Sequence, residues 1–470
     1  MTESKPQTPS EPPGRGQWST RVGFVLAATG SAVGLGNIWK FPYLVGENGG
    51  GLFVLIYLSC IALIGIPVMI AEIVVGRRAQ RAPIRAFIRI RGENTAWRIV
   101  GWMSVVSGFV ILSYYSVVAG WTMNYALMSI NRFFVGKTPD QIRQAFGTLH
   151  ASGDINLFWH FMFMLTTVGI VYGGVRKGIE AWSRVLMPAL FAVLVLLAVD
   201  AAFQPGFASA SAFLFAPDPG KLRPAGVLEA LGQSFFTLSL GMGAMLTYGS
   251  YLPKKTDITA ASALVCVLDT VVALIACFVV FPIIFSVGMA PEAGPGLVFK
   301  SMPIALSQMR GGMPLTILFF GLLVFAALTS AISLLEVVVA SVIDQLGWTR
   351  RRASLIMGSA IFLFGVPSAL AGSKKVFSSW PALFGKDFFD TMDYLGTNWL
   401  LPLGGLFIAL FVGWVMPESA RASEFSAGSR FGWLYPTWKW VLRLVVPTAI
   451  LVLWLFSVEI LPKAWLGTTP

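Results

Sequence analysis

The sequence predicts an all-α polytopic membrane protein of about eleven transmembrane helices. It is expected to contain an inverted repeat of five helices (1–5 and 6–10), with helices 1 and 6 broken. Three observations carry this expectation. The 470 residues are 56% hydrophobic and only 12% charged, a balance foreign to soluble globular domains. Eleven apolar runs are long enough to cross a bilayer. The first and sixth runs are interrupted by clustered glycines. They lie five helices apart, and five is odd, so the second group of five enters the membrane upside down relative to the first.

Residues 1–17 are rich in Pro and Ser and read as a mobile cytoplasmic tail with no signal-peptide core. The transporter-like core runs over 18–416, as two repeats at 18–203 and 226–416. The first run, 21–44, contains GSAVGLGNIWKFPY (Gly30–Tyr43), with Gly30, Gly34 and Gly36 inside seven residues. Each glycine weakens a helix by about 1 kcal/mol relative to alanine. Clustered at mid-membrane they predict a break, and lipid cannot satisfy the freed amides and carbonyls. Such backbone survives only inside protein or facing a polar cavity. Gly30 and Gly34 alone also fit close packing of two helices through small residues.

The second run, 52–75, carries Glu72. The third, 98–130, is long enough to tilt or to reach beyond the bilayer, and Tyr114 and Tyr115 put a phenol near its middle. Runs 157–174 and 178–203 complete the first repeat. The sixth, 226–252, contains FFTLSLGMGAMLTYGSY (235–251), where Gly241 and Gly243 follow Thr237 and Ser239. The seventh, 260–288, carries Asp269. The eighth, 314–347, is again long and contains FAALTSAISLLE (325–336), which clusters Thr329, Ser330 and Ser333 ahead of Glu336. Runs 353–371 and 392–416 close the second repeat. Residues 417–470 supply a cytoplasmic loop, the eleventh helix at 440–463 and a short outer tail. The outer loops 132–156, 290–313 and 372–391 are large enough to cap a vestibule.

Lys and Arg set the orientation. With the N-terminus in the cytoplasm, 22 basic residues fall on that side and 11 on the other. The segment 76–98 is the strongest marker, with seven arginines beside two spans. The C-terminus is then outside, in a cell membrane. This bias also accounts for the net charge of +12 without nucleic acid. Cys60, Cys266 and Cys277 sit in apolar runs, and neither His150 nor His160 has a metal-ligand partner at useful spacing.

A pair of glycine-interrupted spans at matching places in two halves points to a transport site at the bilayer midplane. Amide ends of half-helices suit a carboxylate, and carbonyl ends suit cations. Hydroxyls such as Thr329 and Ser330 are hard oxygen ligands for a small cation; they can equally bond the carbonyl of the preceding turn. Charges inside the membrane are costly and therefore informative. Asp269 could bind a cation, Glu72 could cap the amides of a broken helix, and Glu336 could join two helices by hydrogen bonds.

These segments resemble the neurotransmitter:sodium symporter family, in its bacterial amino-acid transporter branch. The match is strongest over WSTRVGFVLAATGSAVGLGNIWKFPYLVGENGGG (18–51). SFFTLSLGMGAMLTYGSY (234–251) and FAALTSAISLLE follow in the family's order, and KGIEAWSRVLMP (177–188) resembles its fifth helix. The resemblance implies a sodium-coupled symporter importing a neutral L-amino acid by alternating access, and no enzyme. It implies a first sodium site at Ala32, Asn37, Thr237 and Asp269. A second sodium site falls on Gly30, Val33, Ala326, Thr329 and Ser330. Substrate would lie among Ser31, Ala32, Leu35, Gly36, Ile111, Tyr115, Phe236, Thr237, Ser239, Met242, Ser330 and Leu334. Tyr115 would bond the substrate carboxylate and form a thin lid with Phe236. An outer gate would pair Lys40 with Asp393, and an inner gate Arg15 with Asp344, near Trp18 and Tyr251.

Asp269 stands where the family usually has Asn, and Ala273 where its chloride-dependent members place Ser. The remaining chloride positions would be Tyr57, Gln233 and Thr237. A carboxylate at 269 can supply the negative charge that chloride supplies elsewhere, so chloride-independent transport is expected. Gly34 stands where monoamine transporters of the family have Asp, leaving the carboxylate to the substrate. The side-chain pocket of Ile111, Phe236, Met242 and Leu334 is apolar, which favours a hydrophobic or aromatic amino acid. Two Na+ ions are the expected partners, with no organic cofactor. The chain has no phosphate-cradling GxxxxGK motif to support an ATP-driven mechanism. The alternative reading is an amino-acid sensor on the same fold that binds without net transport.

Overall fold

The computed structural model describes residues 16–460, apart from 217–219, 221, 291–293, 310 and 375–376. The proposed gate residue Arg15 and the outer tail 461–470 lie outside the described residues. Among those described, nine helices are long and apolar enough to cross a membrane, and a bent pair makes a tenth. The bent pair is the first run: α1 (Arg21–Ala32) and α2 (Gly36–Glu47), inclined at 52°. Helix α1 stops because Val33 turns to extended backbone, with φ −70° and ψ 105°.

After these come α3 (Gly51–Ala79), the short α4 (Pro83–Arg91), α5 (Arg98–Ile130), α6 (Pro139–Ala151), α7 (Gly153–Tyr172), α8 (Val175–Ala202) and α9 (Phe207–Phe215). The sixth run is split into α10 (Pro224–Thr237) and α11 (Ala244–Gly249). Their 14 and 6 residues rise about 21 Å and 9 Å, so neither half spans alone. Between them Ser239, Gly241 and Gly243 all take positive φ (53°, 81° and 74°). Gly241 is also held against the Leu401 carbonyl and the Gly405 amide, leaving no room for a Cβ. The sixth expected span is thus present as two half-helices. The remaining elements are α12 (Ile258–Ser286), α13 (Met302–Gln308), α14 (Gly312–Leu346), α15 (Arg350–Ser373), α16 (Trp380–Val415), α17 (Glu418–Ser426) and α18 (Gly432–Ser457).

Three of the connecting segments differ from the expectation. The stretch 372–391 is not a loop throughout, because α16 starts at Trp380 rather than near 392. The stretch 132–156 contains α6, which begins with a reciprocal capping box between Thr138 and Gln141. The connection between the two repeats contains α9. Each is amphipathic or short enough to escape a search for spanning runs.

The centre of the protein is built from α1, α5, α12 and α14. Helix α5 has 78% of its apolar window buried, and α14 packs along its length. The periphery is α15 and α18, with 28% and 22% buried, whose outer faces carry Leu363, Trp440 and Leu451 in the open. Apolar side chains on that surface have lipid as their solvent. The interrupted helices therefore lie inside a jacket of continuous ones, as exposed backbone at membrane depth requires.

Candidate functional site

The break in α10–α11 is held from α3. Buried Glu72 accepts a hydrogen bond from the Gly241 amide at 2.7 Å and from the Leu246 amide at 3.3 Å. Those amides open the half-helix α11, and a carboxylate there also faces the positive end of its dipole. The break between α1 and α2 is closed by Asn37 of α2 and by side chains of α10 and of the α10–α11 break. Asn37 accepts from the Gly34 amide at 2.9 Å and donates to Asp269 Oδ1 at 2.8 Å. Gln233 of α10 donates to the Gly36 carbonyl at 3.1 Å. The Ser239 hydroxyl donates to the Ser31 carbonyl at 2.7 Å, linking the two breaks directly.

Asp269 is fully buried and gathers its neighbours from three other elements. Besides Asn37, the Thr237 hydroxyl lies 3.1 Å from both carboxylate oxygens, and the Tyr57 hydroxyl lies 3.5 Å from Oδ2. Ala32, fourth of the expected first-ion set, lies at the end of α1 beside Thr237 on the same cavity. The expected second-ion set also converges. The Ser330 hydroxyl is 3.5 Å from the Gly30 carbonyl and 3.4 Å from that of Val33. The Thr329 hydroxyl is 3.5 Å from the Val33 carbonyl and 3.0 Å from that of Ala326. Thr329 also bonds the Phe325 carbonyl of the preceding turn at 3.1 Å, the bond a helical hydroxyl ordinarily makes.

A small cavity lies where the two breaks meet. It is lined by all twelve residues expected around a substrate: Ser31, Ala32, Leu35, Gly36, Ile111, Tyr115, Phe236, Thr237, Ser239, Met242, Ser330 and Leu334. Gly34 lines it too. A Cβ added at Gly34 would lie 2.6 Å from Ser330 Oγ and 3.4 Å from the Tyr115 hydroxyl, so any side chain there would occupy the space between them. The Tyr115 hydroxyl is buried, with the Leu35 backbone and the Ser330 hydroxyl nearby, and makes no hydrogen bond of full geometry among the described residues. Its wall of Ile111, Phe236, Met242 and Leu334 is apolar.

Beside this cavity lies a wider one, which shares Leu35, Gly36, Tyr115 and Phe236 with it. Lys40 and Asp393 both line this vestibule. They make no ion pair within 4 Å, in contrast to the expected outer gate. Lys40 Nζ instead sits 4.6 Å from the Phe236 ring centroid, and the vestibule separates the two charges.

The opposite side is sealed. Trp18 is buried, donates from Nε1 to the Tyr248 carbonyl at 2.9 Å, and meets the Tyr248 and Tyr251 rings edge-on. The Tyr251 hydroxyl donates to Glu336 at 2.5 Å, and Arg350 grips the same carboxylate with two nitrogens at 2.6 and 2.9 Å. Asp344 accepts from the Ala82 amide at 2.6 Å, where α4 begins. Arg350 and Ala82 are the contacts that sequence reasoning missed. Glu336 and Arg350 are fourteen residues apart, and the reversal at Gly347, with φ 66°, brings them together. No helical spacing rule anticipates such a pair.

Two interrupted spans meeting over a cavity, sealed on one side and continuous with a vestibule on the other, define a secondary transporter of the broken-helix type. The pattern of the sodium:neurotransmitter symporter family matches residues 15–140 and 132–466, and the chain belongs to that family. It is 39% identical over 465 residues to the uncharacterized sodium-dependent transporter YhdH of Bacillus subtilis, covering 98% of this chain and all of that one. It is 35% identical over 452 residues to an uncharacterized sodium-dependent transporter of Haemophilus influenzae, covering 94% and 98%. Among solved structures, the crystal structure of MhsT in complex with L-phenylalanine superposes with a TM-score of 0.86 at 43% identity. That match covers 94% of this chain and all of the other. The protein is a sodium-dependent membrane transporter, not an enzyme.

Proposed function

We propose that the protein imports a neutral, hydrophobic or aromatic L-amino acid together with two Na+ ions, without chloride. The observation that carries the reading is the buried Tyr115 hydroxyl on the cavity beside Leu35 and Ser330, which makes no well-formed hydrogen bond among the described residues. A buried hydroxyl without a partner costs free energy unless a ligand supplies one. An amino-acid carboxylate fits there. It would accept from Tyr115 and from the free amides that open α2, and its charge would suit that end of the helix. The apolar wall then receives the side chain. The phenylalanine seen in MhsT supports this class of substrate.

The carboxylate would also face the first ion set. There Asp269, Thr237, Asn37 and the Ala32 carbonyl supply oxygens, once the Asn37 amide turns its oxygen inward. The second set offers Gly30, Val33 and Ala326 carbonyls with the Thr329 and Ser330 hydroxyls. Oxygen-only donors of this kind suit a hard, singly charged cation. Asp269 lies within 3.5 Å of Tyr57 and Thr237, two of the three remaining chloride positions. Its fixed charge supports chloride-independent coupling. Orientation follows the basic loops: the Trp18 side faces the cytoplasm and the vestibule faces out.

The test is uptake of labelled amino acids into proteoliposomes. Sodium-driven accumulation of a hydrophobic amino acid, unchanged when gluconate replaces chloride, is the expected result. Binding without accumulation would identify a sensor, and accumulation in potassium alone would end the sodium-coupled reading.

A further inference from the structure

The seven arginines of 76–98 serve orientation in the sequence, but the structure arranges several of them as a surface. Helix α4 turns Ile84, Ala86 and Phe87 inward, Phe87 meeting Phe411 edge-on at 4.8 Å. It is fixed to the start of α5, where a Cβ at Gly101 would fall 2.5 Å from the Ile84 Cα. The other edge of the hairpin is basic. Arg89, Arg91 and Arg98 are exposed and Arg81 is half-exposed, and none of the four has a carboxylate within 4 Å among the described residues. The other three pair with acids, Arg77 and Arg78 with Glu424 at 2.7 and 3.6 Å and Arg85 with Glu93 at 3.6 Å, while Arg89 donates one nitrogen to the Ala79 carbonyl at 3.1 Å and keeps the rest of its fork for a ligand.

This edge adjoins a lipid-facing stripe. Ile99, Trp102 and Val106 follow Arg98 at the spacing of one helical face and are 63%, 52% and 44% exposed. Trp102 lies one turn into the span, at the depth where indoles favour the headgroup boundary. Unpaired cations therefore sit where the hydrocarbon face of α5 ends.

We propose that the outer edge of the α4–α5 hairpin binds the headgroups of anionic phospholipids in the leaflet on the Trp18 side. Arg89, Arg91 and Arg98 receive the phosphodiester oxygens, and the stripe below them packs against the acyl chains. Guanidinium forks suit phosphate oxygens. A cluster of basic residues on an amphipathic helix at the end of a span is a recognised pattern for such lipids.

The experiment uses the whole chain, purified in a detergent with a neutral headgroup. It is offered equal amounts of phosphatidylglycerol and phosphatidylcholine, and bound lipid is counted by native mass spectrometry. Phosphatidylglycerol should be retained in preference. The Arg89→Gln/Arg91→Gln/Arg98→Gln variant should lose that preference by on the order of tenfold or more. The Arg132→Gln/Lys137→Gln variant, altered beyond the other end of α5, should keep it. A wild type that retains both lipids equally, or a triple variant that retains phosphatidylglycerol as the wild type does, overturns the proposal. Should the triple variant fail to fold, 0.5 M salt on the wild type serves instead. Exposed charges are screened there, so undiminished retention of phosphatidylglycerol is also a refutation.

Discussion

In the proposed function Asp269 meets two demands at one position: an oxygen for a cation and a fixed negative charge in place of a mobile one. Its three hydrogen-bonding neighbours come from Asn37, Tyr57 and Thr237, on three different elements. Asp269→Ala should abolish sodium-dependent substrate binding, measured by isothermal titration in sodium against potassium. Normal sodium affinity in that variant would remove Asp269 from the ion site. Tyr115 makes a narrower demand. Tyr115→Phe keeps the ring over the cavity and removes only the hydroxyl. A hydrogen bond to a charged group contributes about 1.5–3 kcal/mol, so substrate affinity should fall about ten- to a hundredfold. Sodium binding without substrate should stay as it was. Unchanged substrate affinity would mean that the carboxylate lies elsewhere. These residues were legible because each sits in a short motif with a local reason to exist: a glycine cluster, a charge in a span, a phenol at mid-membrane. Arg350 had no such mark, since its meaning lies in Glu336 across a chain reversal.

Interrupted helices are stable only when other elements complete their backbone bonds, and Glu72 on α3 does this for α11. Glu72→Ala should leave the Gly241 and Leu246 amides without that acceptor. The cost is about 2–3 kcal/mol, read as earlier unfolding on heating, with uptake lost well below the unfolding temperature. Wild-type thermal stability in Glu72→Ala would show that the break is held otherwise. The entry to α12 gives a pH-dependent case outside the membrane. Asp257 caps that helix: its carboxylate accepts from the Ala260 amide at 3.0 Å, the Thr259 hydroxyl at 2.8 Å and the Arg430 amide at 3.2 Å. Partial burial alone would raise its pKa, but these hydrogen bonds outweigh burial and hold it below the ordinary aspartate value. A lowered folded-state pKa stabilises the folded form above the unfolded value near 3.9 and loses that contribution as pH falls through the folded value. Asp257→Ala should therefore cost about 1 kcal/mol at neutral pH and progressively less below about pH 4. An equal cost across that range would show that the charge is not what the cap uses. The broken spans were legible as elements because glycine acts locally on the backbone. The start of α16 at Trp380 was not, because its first turns are too polar and aromatic to read as a membrane run.

At the scale of the molecule the fold has to convert an ion gradient into a solute gradient, and charge movement is how that conversion can be counted. The sealed Trp18 side and the vestibule lined by Lys40 and Asp393 give two different accesses to one cavity. That asymmetry was not legible in the sequence, because the same residues must serve the opposite closure as well. An unpaired Lys40 and Asp393 is one arrangement of a two-state element. If two sodium ions cross with a zwitterion and Asp269 stays behind, two net charges move per cycle. Each is driven by about 2.3 kcal/mol per 100 mV, or about 4.6 kcal/mol together. Since about 1.4 kcal/mol is tenfold, steady-state accumulation should rise tenfold for about every 30 mV of inside-negative potential. Were chloride to accompany the ions, or a proton to leave in exchange, one net charge would move and the same tenfold would take about 60 mV. Proteoliposomes clamped with potassium and valinomycin at a series of potentials measure this slope directly. The expected slope is the steeper one, and it should be the same with gluconate outside. A 60 mV slope that does not depend on chloride would point to proton exchange. A 60 mV slope that steepens when chloride is withdrawn would mean that the carboxylate at 269 does not replace the anion, and the chloride-independent reading would fail.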